Sequence, residues 1–86
     1  MSIKIDKYIY EFWKQDLLES TETQIENYIR EFVRDKVKFS AGKKKLSQAE
    51  LSRLVSFQHA TKDVGLEEVF RRIEKEEVNL WRSKQS

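Results

Sequence analysis

Residues Ile25 to Val37, I-E-N-Y-I-R-E-F-V-R-D-K-V, decide the fold class. Apolar side chains recur at Ile25, Tyr28, Ile29, Phe32, Val33 and Val37. This is the i, i+3, i+4, i+7 spacing that lays one face of an α-helix against a core. Upstream lies a polar break, Ser20-Thr21-Glu22-Thr23, where Thr23 with Glu26, or Thr21 with Gln24, can close a capping box. Downstream, Phe39-Ser40-Ala41-Gly42 reads as a turn, so this second helix is predicted to end near Lys38.

Working outward, three more segments carry the same period. The first helix is predicted from about Asp6 to Glu19, with Ile5, Tyr8, Ile9, Phe12, Trp13 and Leu17 as its stripe and Tyr10 widening it. That arc covers about half the helix, more than the ~100° one contact face needs. The first helix is therefore either central in the bundle or meets a partner. The third begins at Ser47: Ser47 and Glu50 form a capping-box pair, and Leu46 and Leu51 stand where a hydrophobic staple would place them. Its inward side chains are Leu51, Leu54 and Val55, and Phe57 lies off that stripe as a second contact. The fourth starts around Gly65 and runs to about Arg82, with Leu66, Val69, Phe70, Ile73, Leu80 and Trp81 aligned. Glu67 with Arg71, and Glu68 with Arg72, are i, i+4 pairs in the favourable orientation. Asp63 is the expected cap there, with Gly65 absorbing the bend, and Ser83 to Ser86 form a frayed tail.

The predicted fold is all-α: one domain, a compact bundle of four short amphipathic helices, or three if the third and fourth merge into one kinked helix. Composition agrees. The 86 residues include no Pro, no Cys and two Gly, so disulfides and thiolate metal sites are excluded and few breaks interrupt the helices. Charged residues make up 37% with nearly balanced signs, which suits ion-paired helix surfaces. No apolar run approaches the ~18 residues of a membrane span. The start, MSIKIDKY, puts charged and aromatic residues where a signal peptide needs an apolar core, and Ser2 stands where N-myristoylation needs Gly. The expectation is a cytoplasmic protein with no membrane partner.

Charge is the informative departure. In Arg34 to Lys45, RDKVKFSAGKKK, six of twelve residues are basic (Arg34, Lys36, Lys38, Lys43, Lys44, Lys45) and only Asp35 is acidic. The local net charge of +5 exceeds the +2 of the whole chain. The run abuts the helix start at Ser47, and a basic loop leading into a helix N-terminus favours anions. The alternative is a solvated loop whose lysines aid solubility. Only Phe39 is interleaved with the charges, so no base-stacking platform is visible, and nothing matches the GxxxxGK[ST] phosphate loop.

Other candidates read mainly as structure. Asp16, Lys36, Gln58 and Glu77 interrupt apolar stripes. They sit either at the rim of a small core, where long side chains reach water, or in an interhelical cluster such as Lys36 with Glu77 or Asp16. The rim is the expected case. The single histidine, His59, has no Cys and no HExxH spacing near it. Ser52 or Ser56 with His59 and Asp63 lie on one helix, which offers no oxyanion pocket. Glu67, Glu68, Glu74, Glu76 and Glu77 lack the ExxH pairs of a carboxylate metal bundle. No catalytic residue, metal or cofactor is expected. Ten aromatics are many for a small core, and Tyr10, Trp13, Phe57 and Trp81 are the candidates for a protein interface.

The run Ser47-Gln48-Ala49-Glu50-Leu51-Ser52-Arg53-Leu54 resembles the opening helix of repressor-type helix-turn-helix domains, where Q-A-E-L-x-x-L is common. The resemblance covers eight residues. Ser56 then stands where that family turns on Gly, and FQHATKDVGLEE supplies no recognition helix, so no DNA-reading residue is carried over. The charge-rich four-helix plan is also similar in outline to small helical subunits of CRISPR ribonucleoprotein complexes. The expected function is a non-catalytic small subunit or accessory protein in a nucleoprotein assembly. It would contact RNA or DNA phosphates through Arg34, Lys36, Lys38, Lys43, Lys44, Lys45 and the Ser47 helix start, with slight sequence preference. The rival is a protein–protein adaptor or inhibitor, as a monomer or homodimer, with no nucleic-acid role.

Overall fold

Four helices, α1 (Lys7–Glu19), α2 (Glu22–Ser40), α3 (Gln48–Asp63) and α4 (Glu67–Gln85), make up the computed structural model, which describes residues 3–85. No strand occurs among the described residues, and the third and fourth helices are separate. α1 packs mainly on α3 and α2 mainly on α4, with a smaller α3–α4 contact.

The starts follow local side-chain chemistry. Asp6 caps α1 by accepting from the N–H groups of Tyr8 and Ile9 at 2.9 and 3.2 Å. Thr21, rather than Thr23, caps α2 in a reciprocal box with Gln24. Ser47 and Glu50 close the box expected at α3. The two glycines solve the same problem at two helix ends. Gly42 (φ +73°) and Gly65 (φ +82°) occupy the left-handed position that ends a helix. In each case the next N–H returns to a carbonyl of the last turn: Lys43 to Lys38 at 2.9 Å, and Leu66 to Thr61 at 2.8 Å. Gly65 thus separates α3 from α4. Asp63, the expected cap of α4, instead accepts a hydrogen bond from the Tyr10 hydroxyl. That bond, more than the slight burial, holds the Tyr10 phenol above its ordinary pKa. Two predicted ends shift: α2 continues through Phe39 to Ser40, and α4 runs through the expected frayed tail to Gln85, the last described residue.

Leu17, Ile29, Val33, Phe57, Ala60, Phe70 and Ile73 form the core. Beside it, the Trp13 ring meets Tyr28, Phe32 and Phe57 edge-on, with centroids 5.0, 5.6 and 4.9 Å away, and Phe32 stacks on Phe57 at 4.1 Å. The Cα envelope measures 39 × 32 × 15 Å. The short dimension is what two helix layers need, ~8–10 Å between axes plus ~2.3 Å of Cα radius on each side.

A slab this thin cannot cover both sides of α1. Tyr8 and Phe12, expected in the inward stripe, are 89% and 59% exposed. Phe57, expected as an interface residue, is fully buried, because the aromatic cluster closes over it from α1 and α2.

The segment before α1 is pinned to α3. Ser52 Oγ donates to the Lys4 carbonyl at 2.7 Å, and the Asp6 N–H donates to the buried Ser56 Oγ at 2.8 Å. Ser56 in turn donates to the Ser52 carbonyl at 2.6 Å. The helix runs through Ser56 without a turn, where the helix-turn-helix pattern would break.

Candidate nucleic-acid interface

The seven residues expected to meet phosphate divide into committed and available groups. Lys36 Nζ lies 2.6 Å from Glu74 and faces the Phe70 ring, so its charge is spent tying α2 to α4. Lys44 Nζ lies 2.7 Å from Asp35, and that hydrogen bond raises its pKa. At the α3 start, the Ser47 hydroxyl accepts from the Glu50 N–H at 3.2 Å, and the Glu50 carboxylate accepts from the Ser47 N–H at 3.1 Å. The capping box has placed a carboxylate at the helix end where a phosphate was expected. These backbone and hydroxyl contacts hold Glu50 below the ordinary carboxylate pKa, so it stays charged.

Lys38, Lys43 and Lys45 are exposed, and no acidic partner accompanies them among the described residues. Arg34 is intermediate: its Nε lies 3.4 Å from Glu77, yet the side chain remains about half exposed. The Gly42 turn fixes the relation between loop and helix, since the Lys43 N–H bonds the Lys38 carbonyl.

Beyond Lys38 a cavity of about 380 Å³ opens between the C-terminal parts of α2 and α4. Arg34, Val37, Lys38, Glu77, Leu80, Trp81 and Lys84 line it. Two of these were not expected here. Lys84 falls in the predicted frayed tail, and the continuation of α4 makes it part of the same cavity lining as Lys38. Trp81, a candidate for a protein interface, lines the cavity together with these cations. The signal for Lys84 was present in its spacing, three and four residues after Trp81 and Leu80 on one helix face.

Glu77 forms part of the cavity wall. It is 7% exposed and held by Arg30 Nη1 and Arg34 Nε, each at 3.4 Å. It is therefore the buried member of an interhelical cluster and not a core-rim residue, with Arg30 and Arg34 as partners in place of Lys36. Lys36 pairs with Glu74, one turn earlier on α4.

The remaining candidates take structural or surface positions. His59 is exposed on α3, and the Ser52 and Ser56 hydroxyls both donate to backbone carbonyls. Among the described residues no group of three or more His, Cys, Asp or Glu could hold a metal ion. No helix of the described residues is long and apolar enough to cross a membrane. Of the expected protein-interface aromatics, Tyr10 and Trp13 are half-buried against the core, Phe57 is within it, and Trp81 lines the cavity. Among the described residues the most exposed large apolar side chains are Tyr8, Leu18 and Phe12, all on α1.

Comparison with protein-family models, with characterised proteins and with solved structures finds no match to this chain.

Proposed function

We propose that this protein is a non-catalytic nucleic-acid-binding module, a small subunit or accessory protein that contacts phosphates through one cationic surface. The surface consists of Lys43 and Lys45 on the loop, Lys38 and Arg34 on α2, and Lys84 on α4. The observation that carries this reading is the convergence of Lys84 with Arg34 and Lys38 around one cavity, next to the loop lysines. Cations from two helices and a loop, gathered on one side, raise the local potential more than a solvated loop alone would. Lys36, Lys44 and Ser47 are engaged within the fold and play little part. Phosphate contact carries no base information by itself, so sequence preference is slight.

Fluorescence anisotropy with labelled single- and double-stranded RNA and DNA tests this reading. Affinity should fall with salt, with a log–log slope of about −2 to −3.5 on single strands for three to five engaged cations. Lys38/Lys43/Lys45→Ala should weaken binding at every sequence, and Lys44→Ala should have a smaller effect. No binding at low salt by folded protein would refute the reading.

A protein-contact reading rests on a different observation, the exposure of Tyr8 and Phe12 along one side of α1 and of Ile5 just before it. As an adaptor, the chain would use this strip, either toward another protein or toward a second copy. Sedimentation of the wild type and of Tyr8→Ser/Phe12→Ser over a wide concentration range tests the homodimeric form. A monomer throughout removes it.

A further inference from the structure

Resting on the phosphate-contact reading, the cavity between α2 and α4 points to a more specific ligand. We infer that it receives one unpaired nucleotide of a single strand, with the base against Trp81 and the flanking phosphates on Lys38 and Lys84.

The lining separates into two chemistries. Val37, Leu80 and Trp81 present apolar and aromatic surface, and Lys38, Lys84 and Arg34 present positive charge. A flat aromatic ligand carrying negative charge uses both parts, whereas bare phosphate uses only the cations and an aliphatic side chain only the apolar part. The volume of about 380 Å³ falls within the range of small-molecule sites.

Glu77 gives the site a direction. Glu77 lines the cavity, its side chain is nearly buried, and its charge is shared by Arg30 and Arg34. A phosphate beside it would be repelled, so the phosphates lie outward on the two lysines. A base beside it is tolerated, and an exocyclic amino group can donate to a carboxylate oxygen. The base therefore enters and the backbone stays at the mouth. Within a duplex each base is stacked and paired, which withholds it from such a pocket, so single strands are preferred. Aromatic stacking of this kind tolerates any base, consistent with low sequence preference.

The test compares four probes at one salt concentration: a labelled single-stranded 12-mer as RNA and as DNA, its duplex, and an abasic DNA 12-mer that keeps the phosphates. Wild type, Trp81→Phe and Trp81→Ala are compared, with circular dichroism to confirm that each variant is folded. The expected result is single-strand binding about tenfold or more tighter than abasic or duplex binding. Trp81→Ala should remove that advantage and leave abasic affinity unchanged, and Trp81→Phe should retain part of it. If intact and abasic strands bind equally, or if Trp81→Ala weakens both alike, the nucleotide site is overturned while phosphate contact stands. If no probe binds at low salt, both readings fall together.

Discussion

Glu77 on α4 and Arg34 on α2 meet at 3.4 Å, and the carboxylate is nearly buried while the guanidinium stays about half exposed. Arg30 approaches the other carboxylate oxygen at the same distance. One acid thus sets where two α2 arginines sit, and one of those arginines also lines the cavity.

Glu77→Ala should destabilise the fold by about 1–3 kcal/mol, because two arginines lose the acceptor that compensates their partial burial. Glu77→Leu should cost less, since an apolar side chain of similar size fills the space beside Leu80 and Val37. Urea unfolding followed by circular dichroism measures both. Equal losses would mean that charge, and not packing, is what Glu77 supplies.

Phe57 is the centre of the aromatic cluster, stacked on Phe32 and met edge-on by Trp13. Phe57→Ala should cost about 3–5 kcal/mol, a large part of the stability an 86-residue domain holds. Phe57→Leu keeps most of the volume and should cost much less. The urea midpoint gives the loss, and the Trp13 emission should shift as its surroundings loosen.

Gly42 and Gly65 should respond alike to substitution. A Cβ at either position meets nothing within 4 Å, so Ala pays only for the positive φ, about 1–2 kcal/mol. Asn, which tolerates that region better, should recover part of the loss. Thermal melts of the four single variants check this. A much larger loss at Gly65 would show that the α3–α4 turn carries more than local strain.

Glu50 makes the start of α3 sensitive to acid. Hydrogen bonds from Ser47 depress its pKa below the ordinary 4.5. Its contribution is therefore present above the unfolded-state value and is lost as pH falls through the lower folded value. Glu50→Gln keeps an acceptor for the Ser47 N–H and removes the titration. Wild type should be the more stable at pH 7, and the difference should shrink below about pH 4.5. Urea midpoints of both proteins between pH 3 and 7 provide the comparison.

The sensitivity of single sites matches what each residue can and cannot announce. Helix existence is a short-range property. The periodicity of Ile25 to Val37, the Ser47–Glu50 box and the two glycines each act within a few residues, so the four helices and two of their turns are legible along the chain. The cost of positive φ at Gly65 and the reach of a hydroxyl at Ser47 do not depend on distant residues.

The candidate site depends on distance in space, and there tertiary structure decided. Lys36 and Lys44 look identical in sequence to Lys38 and Lys43, but Glu74 and Asp35 neutralise the first pair and leave the second free to act. Lys84 and Trp81 join Lys38 across more than forty residues because α4 packs on α2 and remains helical to Gln85. A helical wheel shows that α1 has too much apolar surface. It does not show which side the neighbours cover, and a slab two helices deep covers the Trp13 and Leu17 side while leaving Tyr8 and Phe12 in water. Local hydrogen bonding and periodicity write the helices. Which faces are buried and which charges remain unpaired follow from packing partners that periodicity alone does not name.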